Sequence, residues 1–353
     1  MKLSDYVDIN PKTQLPKGAQ VPFVGMDAIT AGRRKVLANE RREAKGSGAK
    51  FLPGDTLFAR ITPCLENGKI AQFSDKEAGL GSTEFFVLRA KPKVSDQDFV
   101  FYFALQEELR AAAEKSMTGA SGRQRADVSA LKEFECEFPP LPTQCRIAGI
   151  LSTYDELIEN NQRRIRILED MARSLYREWF VHFRYPGHES VPLVESPLGQ
   201  IPQGWTVKKL SDIAEDMRRN IPKGPLDEPQ PYVGLEHIPR RSLALDSWEV
   251  ASELGSNKLV FKKGEVLFGK IRPYFHKVSI APFDGLCSAD TIVIRARQPE
   301  HYAIVVGCVS SDEFVAHATA TSNGSKMPRA NWRVKSKICC KFDPVSFLYV
   351  ILL

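Results

Sequence analysis

Hydrophobic positions recur with more than one period along this chain, and one stretch keeps the longest of them without interruption. Between residues 143 and 183, Ile147, Tyr154, Asn161, Leu168 and Leu175 follow at seven-residue steps. A second series, Leu151, Ile158, Ile165, Ala172 and Trp179, interleaves with it, so the spacing alternates between four and three. That is the 3.5-residue repeat of a coiled-coil seam, with Glu, Arg and Gln at the outward positions. The pattern predicts a helix over residues 142–184, a rod of roughly 60 Å at 1.5 Å rise per residue. An amphipathic helix lying on a globular core shows a related stripe, but five heptads in register favour the coiled coil. Asn161, set into the seam, is the kind of polar residue that fixes register or partner.

On either side of this helix the text is written twice. Lys2-Leu3-Ser4-Asp5 recurs as Lys209-Leu210-Ser211-Asp212, an offset of 207 by subtraction. Pro22-Phe23-Val24-Gly25-Met26 recurs as Pro231-Tyr232-Val233-Gly234-Leu235, at offset 209. FLPGDTLFARITP, ending at Pro63, recurs as FKKGEVLFGKIRP, ending at Pro273, with six of thirteen positions identical at offset 210. Gly79-Leu80 with Ser82 matches Gly285-Leu286 with Ser288, and Phe86 to Arg89 matches Ile292 to Arg295, both at offset 206. Preserved order with drifting offsets predicts a duplicated domain of roughly 140 residues.

Each copy reads as mixed α and β. LFARI and LFGKI are short strand-like runs after turns at Gly54 and Gly264, and FFVLRA and TIVIRA are buried strands. Residues 98–116 predict one helix. A Gly/Ser loop, Thr118 to Arg125, follows it, with Thr321 to Arg329 as its counterpart. FECEF predicts a strand running into Pro139-Pro140-Leu141-Pro142. The fold class expected is α+β: two repeated mixed α/β domains separated by a long coiled-coil-type helix. The divisions are residues 1–141 for the first domain, 142–184 for the spacer helix, 185–204 for a Pro/Gly-rich linker and 205–344 for the second domain. An apolar tail, 345–353, closes the chain.

Composition narrows the classes without choosing one. The chain has 353 residues, 43% hydrophobic and 26% charged, with net charge +6 and pI near 8.8. A mild basic surplus fits a nucleic-acid partner. Seven cysteines form no CxxC pair, which reads as reduced thiols in a cytoplasmic protein. No apolar run of about 18 residues occurs, so no membrane span is expected.

The motif search finds no phosphate loop, GxGxxG, GxSxG or HExxH, no Asn-Pro-Pro-Tyr-like run, and no nuclease-type carboxylate cluster. No catalytic residue and no metal ligand is assigned. What recurs is basic and small polar. Arg60 corresponds to Lys270, Thr62 to Arg272, and Lys69 lies near Lys277; the first loop offers Ser121, Arg123, Gln124 and Arg125, and the second Ser325, Lys326 and Arg329. Gly and Ser let backbone amides approach a phosphate, and Arg and Gln can read guanine or adenine edges bidentately. Any one of them alone is a solvated surface charge; recurrence on turns of both copies points to DNA. The expected DNA-binding set is therefore Arg60, Lys69, Ser121, Arg123, Gln124, Arg125, Lys270, Arg272, Lys326 and Arg329. The seam residues Leu151, Ile158, Ile165, Leu168, Leu175 and Trp179 are expected to meet a partner. Two modules held by a 60 Å rod suit two DNA segments whole turns apart, roughly 34 Å each.

At these residues the chain resembles the specificity subunits of type I restriction–modification systems. The likeness lies in the paired GDTLFARITP and GEVLFGKIRP segments, the PLPTQCRIAGILSTYDELIENN start of the rod, its RILEDMARSLYREWFVHF end and the PLGQIPQGW segment. It implies two target-recognition domains, each reading half of a bipartite, asymmetric double-stranded DNA site. It also implies antiparallel spacer helices that dock methyltransferase (modification) subunits, with restriction subunits joining the complex. The subunit itself is then non-catalytic and needs no cofactor, since S-adenosylmethionine, ATP and magnesium belong to its partners.

One departure from the family pattern stands out. Phe138 and Pro140 match Phe342 and Pro344, where a second rod should start, yet only nine residues follow. The expectation is a chain truncated or frame-shifted near Lys335 to Cys340, with a decoy or a reservoir of recognition domains as the alternative role.

Overall fold

The computed structural model describes residues 1–45, 47–119, 123–197, 199–324, 326–332 and 339–342, the last four by backbone alone. The chain divides after Asn161 into two compact units.

In the first unit, a five-stranded sheet runs in the order Val7–Ile9, Phe85–Ala90, Thr56–Ala59, Ile70–Phe73, Lys35–Val36. A four-stranded sheet has the order Glu40–Glu43, Gln20–Val24, Gly79–Gly81, Ala49–Phe51. Thr56–Ala59 and Ile70–Phe73 are buried at every position, the polar Thr56 and Gln72 included. One face of the larger sheet packs on the helices around Phe58, Phe86, Val100 and Leu109; the other meets Val24, Phe51, Leu57 and Phe73.

The second unit repeats the ladder. Ala214–Asp216, Thr291–Ala296, Val266–Gly269 and Val278–Ile280 form one sheet; Asn220–Ile221, Lys258–Phe261, Gly285–Ser288, Gly224–Val233 and Glu249–Leu254 form the other. The register agrees pair by pair: Leu57 faces Val87 and Leu267 faces Val293, while Phe51 faces Gly79 and Phe261 faces Gly285. The glycine of each latter pair is needed for space. A Cβ on Gly79 would collide with the Phe51 ring, and one on Gly285 would lie 2.9 Å from Phe261.

Two expected elements differ. Residues 98–116 form two helices, Gln97–Ala104 and Glu107–Lys115, rather than one. Asp96 caps the first by accepting from the Phe99 amide at 2.8 Å, and the turn at Leu105 lets Leu109 and Ala113 reach the same core. FECEF is reduced to a single bridge between Lys2 and Glu135. Its flanking aromatics are drawn inward instead: Phe138 stacks on Tyr6 at 4.3 Å and meets Phe99 edge-on at 5.0 Å. Within residues 185–204, a short hairpin pairs Leu193–Val194 with Ile201–Pro202, and Tyr185 stacks on Trp205 at 5.3 Å.

The long helix is present as Leu141–Tyr176, continued by a π-helical turn, Arg177–Val181. Pro142 sits in its first turn, where a missing N–H costs nothing. Each unit grips its own part of the helix through polar contacts. In the first, Gln144, 1% exposed, donates to the Val94 and Pro139 carbonyls and accepts from the Asp96 amide. The Tyr102 hydroxyl donates to Asp155 at 2.5 Å. In the second, one oxygen of Glu169 accepts from the Ser242 hydroxyl and the amides of Leu243 and Ala244, at 2.8, 2.7 and 3.1 Å. Tyr176 and Phe180 pack against that unit's core, and the ring of Tyr176 covers Gly307 so closely that no Cβ fits there.

The seam is left largely open. Leu151, Ile158, Ile165 and Leu168 are between 37% and 63% exposed, while Leu175 and Trp179 are half-buried. The expected absence of a second long helix, and the apolar tail 345–353, lie outside the described residues. Among the described residues no helix is long and apolar enough to cross a membrane.

Candidate nucleic-acid interface

The Gly/Ser loop of each copy returns to the sheet as a short strap beside the segment leaving the central strand. In the first copy, Thr62 N donates to the Gln124 carbonyl at 3.0 Å and Ala126 N to the Arg60 carbonyl at 2.7 Å. Thr118 and Arg125 exchange both backbone bonds, at 3.1 and 3.0 Å. The second copy makes the same ladder with other residues. Arg272 N donates to Pro328, Ala330 N to Lys270, and Asn323 and Arg329 exchange their pair at 3.2 and 2.9 Å. Because strap and strand exit are tied by backbone bonds, the basic residues of both are brought together whatever the side chains.

Their side chains have distinct settings. Arg125 is exposed, and its Nε and Nη2 both donate to Glu84, at 2.7 to 3.0 Å. Arg60 lies 3.9 Å from the same carboxylate, with its guanidinium 5.2 Å from the centre of the Phe86 ring. In the second copy, Arg329 Nε approaches Asp290 at 3.4 Å, and Lys270 Nζ donates to the Ala289 carbonyl at 3.3 Å. The guanidinium of Arg272 lies 5.9 Å from the Phe275 ring. Arg123 and Lys326 are exposed on their straps, and the Gln124 amide donates to the Thr62 hydroxyl. Ser121 and Ser325 lie outside the described residues.

Lys69 sits apart from this group in its bonding. Its ammonium reaches back to the Met26 carbonyl at 2.8 Å, and Lys277 reaches the Leu235 carbonyl in the same way. Burial pushes the Lys277 ammonium below its ordinary value, with Arg240 adding to the effect.

The acidic partner was the residue that motif reasoning missed. Glu84 and Asp290 occupy equivalent positions, two residues beyond Ser82 and Ser288, whose hydroxyls accept from their amides at 3.2 Å in both copies. Their carbonyls in turn accept from Arg60 and Lys270 at 3.0 and 2.8 Å. Arg125 holds the Glu84 carboxyl below the usual range, against a smaller opposing effect of burial. The signal was available in the repeat itself, since the block at offset 206 runs straight through both acids.

A concavity adjoins each group. The first, of about 400 Å³, is lined by Arg60, Ala49, Thr83 and Phe85, together with Asn10 and Lys12. The second, of about 370 Å³, is lined by the equivalents Lys270, Leu259, Ala289 and Thr291, together with Arg218 and Asn220. Chemically, both copies present arginine donors, a lysine or arginine at the strand exit, and amide side chains around a shallow hollow. That combination can contact phosphates and base edges.

Residues 3–170 match the family described as type I restriction modification DNA specificity domain. Over 191 residues the chain is 27% identical to the type I restriction enzyme MjaIX specificity subunit of Methanocaldococcus jannaschii, covering 52% of this chain and 44% of that protein. Over 156 residues it is 30% identical to the type I restriction enzyme EcoEI specificity subunit of Escherichia coli, covering 42% and 26%. The matched stretches thus span less than half the length of these relatives. The fold is similar to the crystal structure of a type I restriction–modification system S subunit from M. genitalium, with TM-score 0.53 at 16% identity, covering 97% of this chain and 84% of that one. Residues 3–170 thus belong to the type I restriction modification DNA specificity domain family, and the chain is similar to specificity subunits of type I restriction enzymes.

Proposed function

We propose that this chain is the DNA-recognition subunit of a type I restriction–modification complex, reading a bipartite, asymmetric site with one half per copy. The observation that carries the reading is the recurrence of the strap. Two different sequences, Gln124-Arg125-Ala126 and Pro328-Arg329-Ala330, build one backbone ladder and set an arginine against an acid in both copies. A fold that repeats its frame while varying side chains on it is suited to reading two different half-sites. Arg60, Arg123, Gln124 and Arg125 serve the first half, with Ser121 of the same Gly/Ser sequence segment; Lys270, Arg272, Lys326 and Arg329 serve the second. Lys69 supports the first group from its seat on Met26.

In this reading the chain carries out no bond-breaking step. Partner methyltransferase subunits supply methylation and restriction subunits supply cleavage. The exposed stripe at Leu151, Ile158, Ile165 and Leu168, continued by Leu175 and Trp179, is where a partner helix or a methyltransferase subunit docks. Footprinting the chain in complex with its methyltransferase partner tests the reading. Two protected segments separated by an unprotected spacer are expected. Protection of one continuous segment, or none, rejects it.

A further inference from the structure

The contact between Arg125 and Glu84 uses only one edge of the guanidinium. Nε and Nη2 donate to the carboxylate, and this leaves the edge formed by Nη1 and the outer hydrogen of Nη2. That outer edge is a pair of parallel N–H donors, the arrangement that matches the O6 and N7 acceptors of guanine in the major groove. Arg329 shows the same choice, since it is Nε that faces Asp290. The side chains of Arg125 and Arg329 remain about half exposed, at 46% and 54%, whereas that of Glu84 is 19% exposed.

The acids are themselves fixed from both sides. A serine hydroxyl takes the amide of each, and the strand-exit residue donates to the carbonyl of each. An acid whose backbone is so anchored restricts the rotamers of the arginine its carboxylate holds, and so reduces the entropy lost when that arginine meets a base. The reach differs between the copies. Glu84 is one methylene longer and grips at 2.7 to 3.0 Å, while Asp290 stops at 3.4 Å.

We infer that Glu84 and Asp290 are positioning residues that aim Arg125 and Arg329 at guanine, one in each half-site. The inference deepens the DNA-recognition reading and rests on it.

Selection of duplexes from a randomised double-stranded DNA library, using the full chain, tests both separately. The wild-type chain is expected to enrich a two-part motif with guanine in each part. Glu84→Gln cannot accept both donors; it should flatten the guanine preference in one part by about tenfold and leave the other part intact. Arg125→Ala should flatten the same position, and the double variant should do no more than the single ones. Asp290→Asn should act on the other part, which keeps the test open if Glu84→Gln folds poorly. Gln144→Ala, which loosens the first unit away from the strap, should lower its melting temperature without changing the motif.

Retention of full guanine preference by Glu84→Gln and Asp290→Asn, with only a lower melting temperature, overturns the inference and makes the acids structural. Tighter binding to every duplex with the motif unchanged also overturns it, because the acids would then compete with DNA. If the wild-type chain enriches no motif, the recognition reading itself falls, and the inference with it.

Discussion

Lys69 donates its ammonium to the carbonyl of Met26 at 2.8 Å, and Lys277 does the same to the equivalent Leu235. A lysine that crosses to a backbone carbonyl in both copies ties the loop after Gln20–Val24 or Gly224–Val233 to the start of Ile70–Phe73 or Val278–Ile280. Lys69→Met and Lys277→Met are each expected to cost about 1–3 kcal/mol, the range for leaving a sheltered acceptor unpaired. Thermal unfolding of the two variants checks this.

Glu169 answers for three donors of the second unit with one oxygen. Glu169→Ala leaves the Leu243 and Ala244 amides without that acceptor, and a destabilisation of about 2–4 kcal/mol is expected from two such groups. Glu169→Gln keeps an acceptor oxygen and should recover most of the loss. Denaturant unfolding of the two variants side by side separates the outcomes.

The sheet glycines make a matched pair of tests. Gly79→Ala and Gly285→Ala each push a methyl into the ring of Phe51 or Phe261, for which about 1–3 kcal/mol is expected. Gly149→Ala is the control: nothing lies within 4 Å of its Cβ, and it is expected to be neutral or stabilising on the helix.

Stability of the second unit should depend on pH through His276. The residue is 7% exposed, its Nε2 lies 2.9 Å from the Ser310 carbonyl, and its Nδ1 is 3.4 Å from Asp312. Burial pushes its value down, Arg241 and Arg173 act the same way, and the Ser310 bond and Asp312 oppose them. The unfolded chain therefore takes up a proton that the folded chain resists. This contribution is fully present above the unfolded value of about 6.5 and is lost as pH falls through the lower folded value. The melting temperature should fall between pH 7 and pH 5, and His276→Asn should reduce that slope.

The repeat was the most legible part of the sequence, because strand pairs such as Leu57 with Val87 must be matched by Leu267 with Val293 to bury the same core. The long helix was legible from its heptads. What the pattern could not carry was anything decided by a single contact. The break at Leu105 depends on which core Leu109 reaches, and Phe138 leaves its expected strand for Tyr6 and Phe99. At the interface, charge and position marked Arg125 and Arg329. The acids beside them were passed over because a lone Glu or Asp in a strand-leading turn has no motif. Only the fold shows that Ser82 and Ser288 fix them against the straps.

The central claim, that each copy reads its own half of one site, is tested most directly by comparing motifs selected from random duplex DNA by Arg125→Ala and Arg329→Ala. The expected result is that each variant loses specificity in a different part of a two-part motif, at about 1–3 kcal/mol per lost bidentate contact, and leaves the other part sharp. Loss of the same part by both variants, or equal weakening on every sequence, contradicts it.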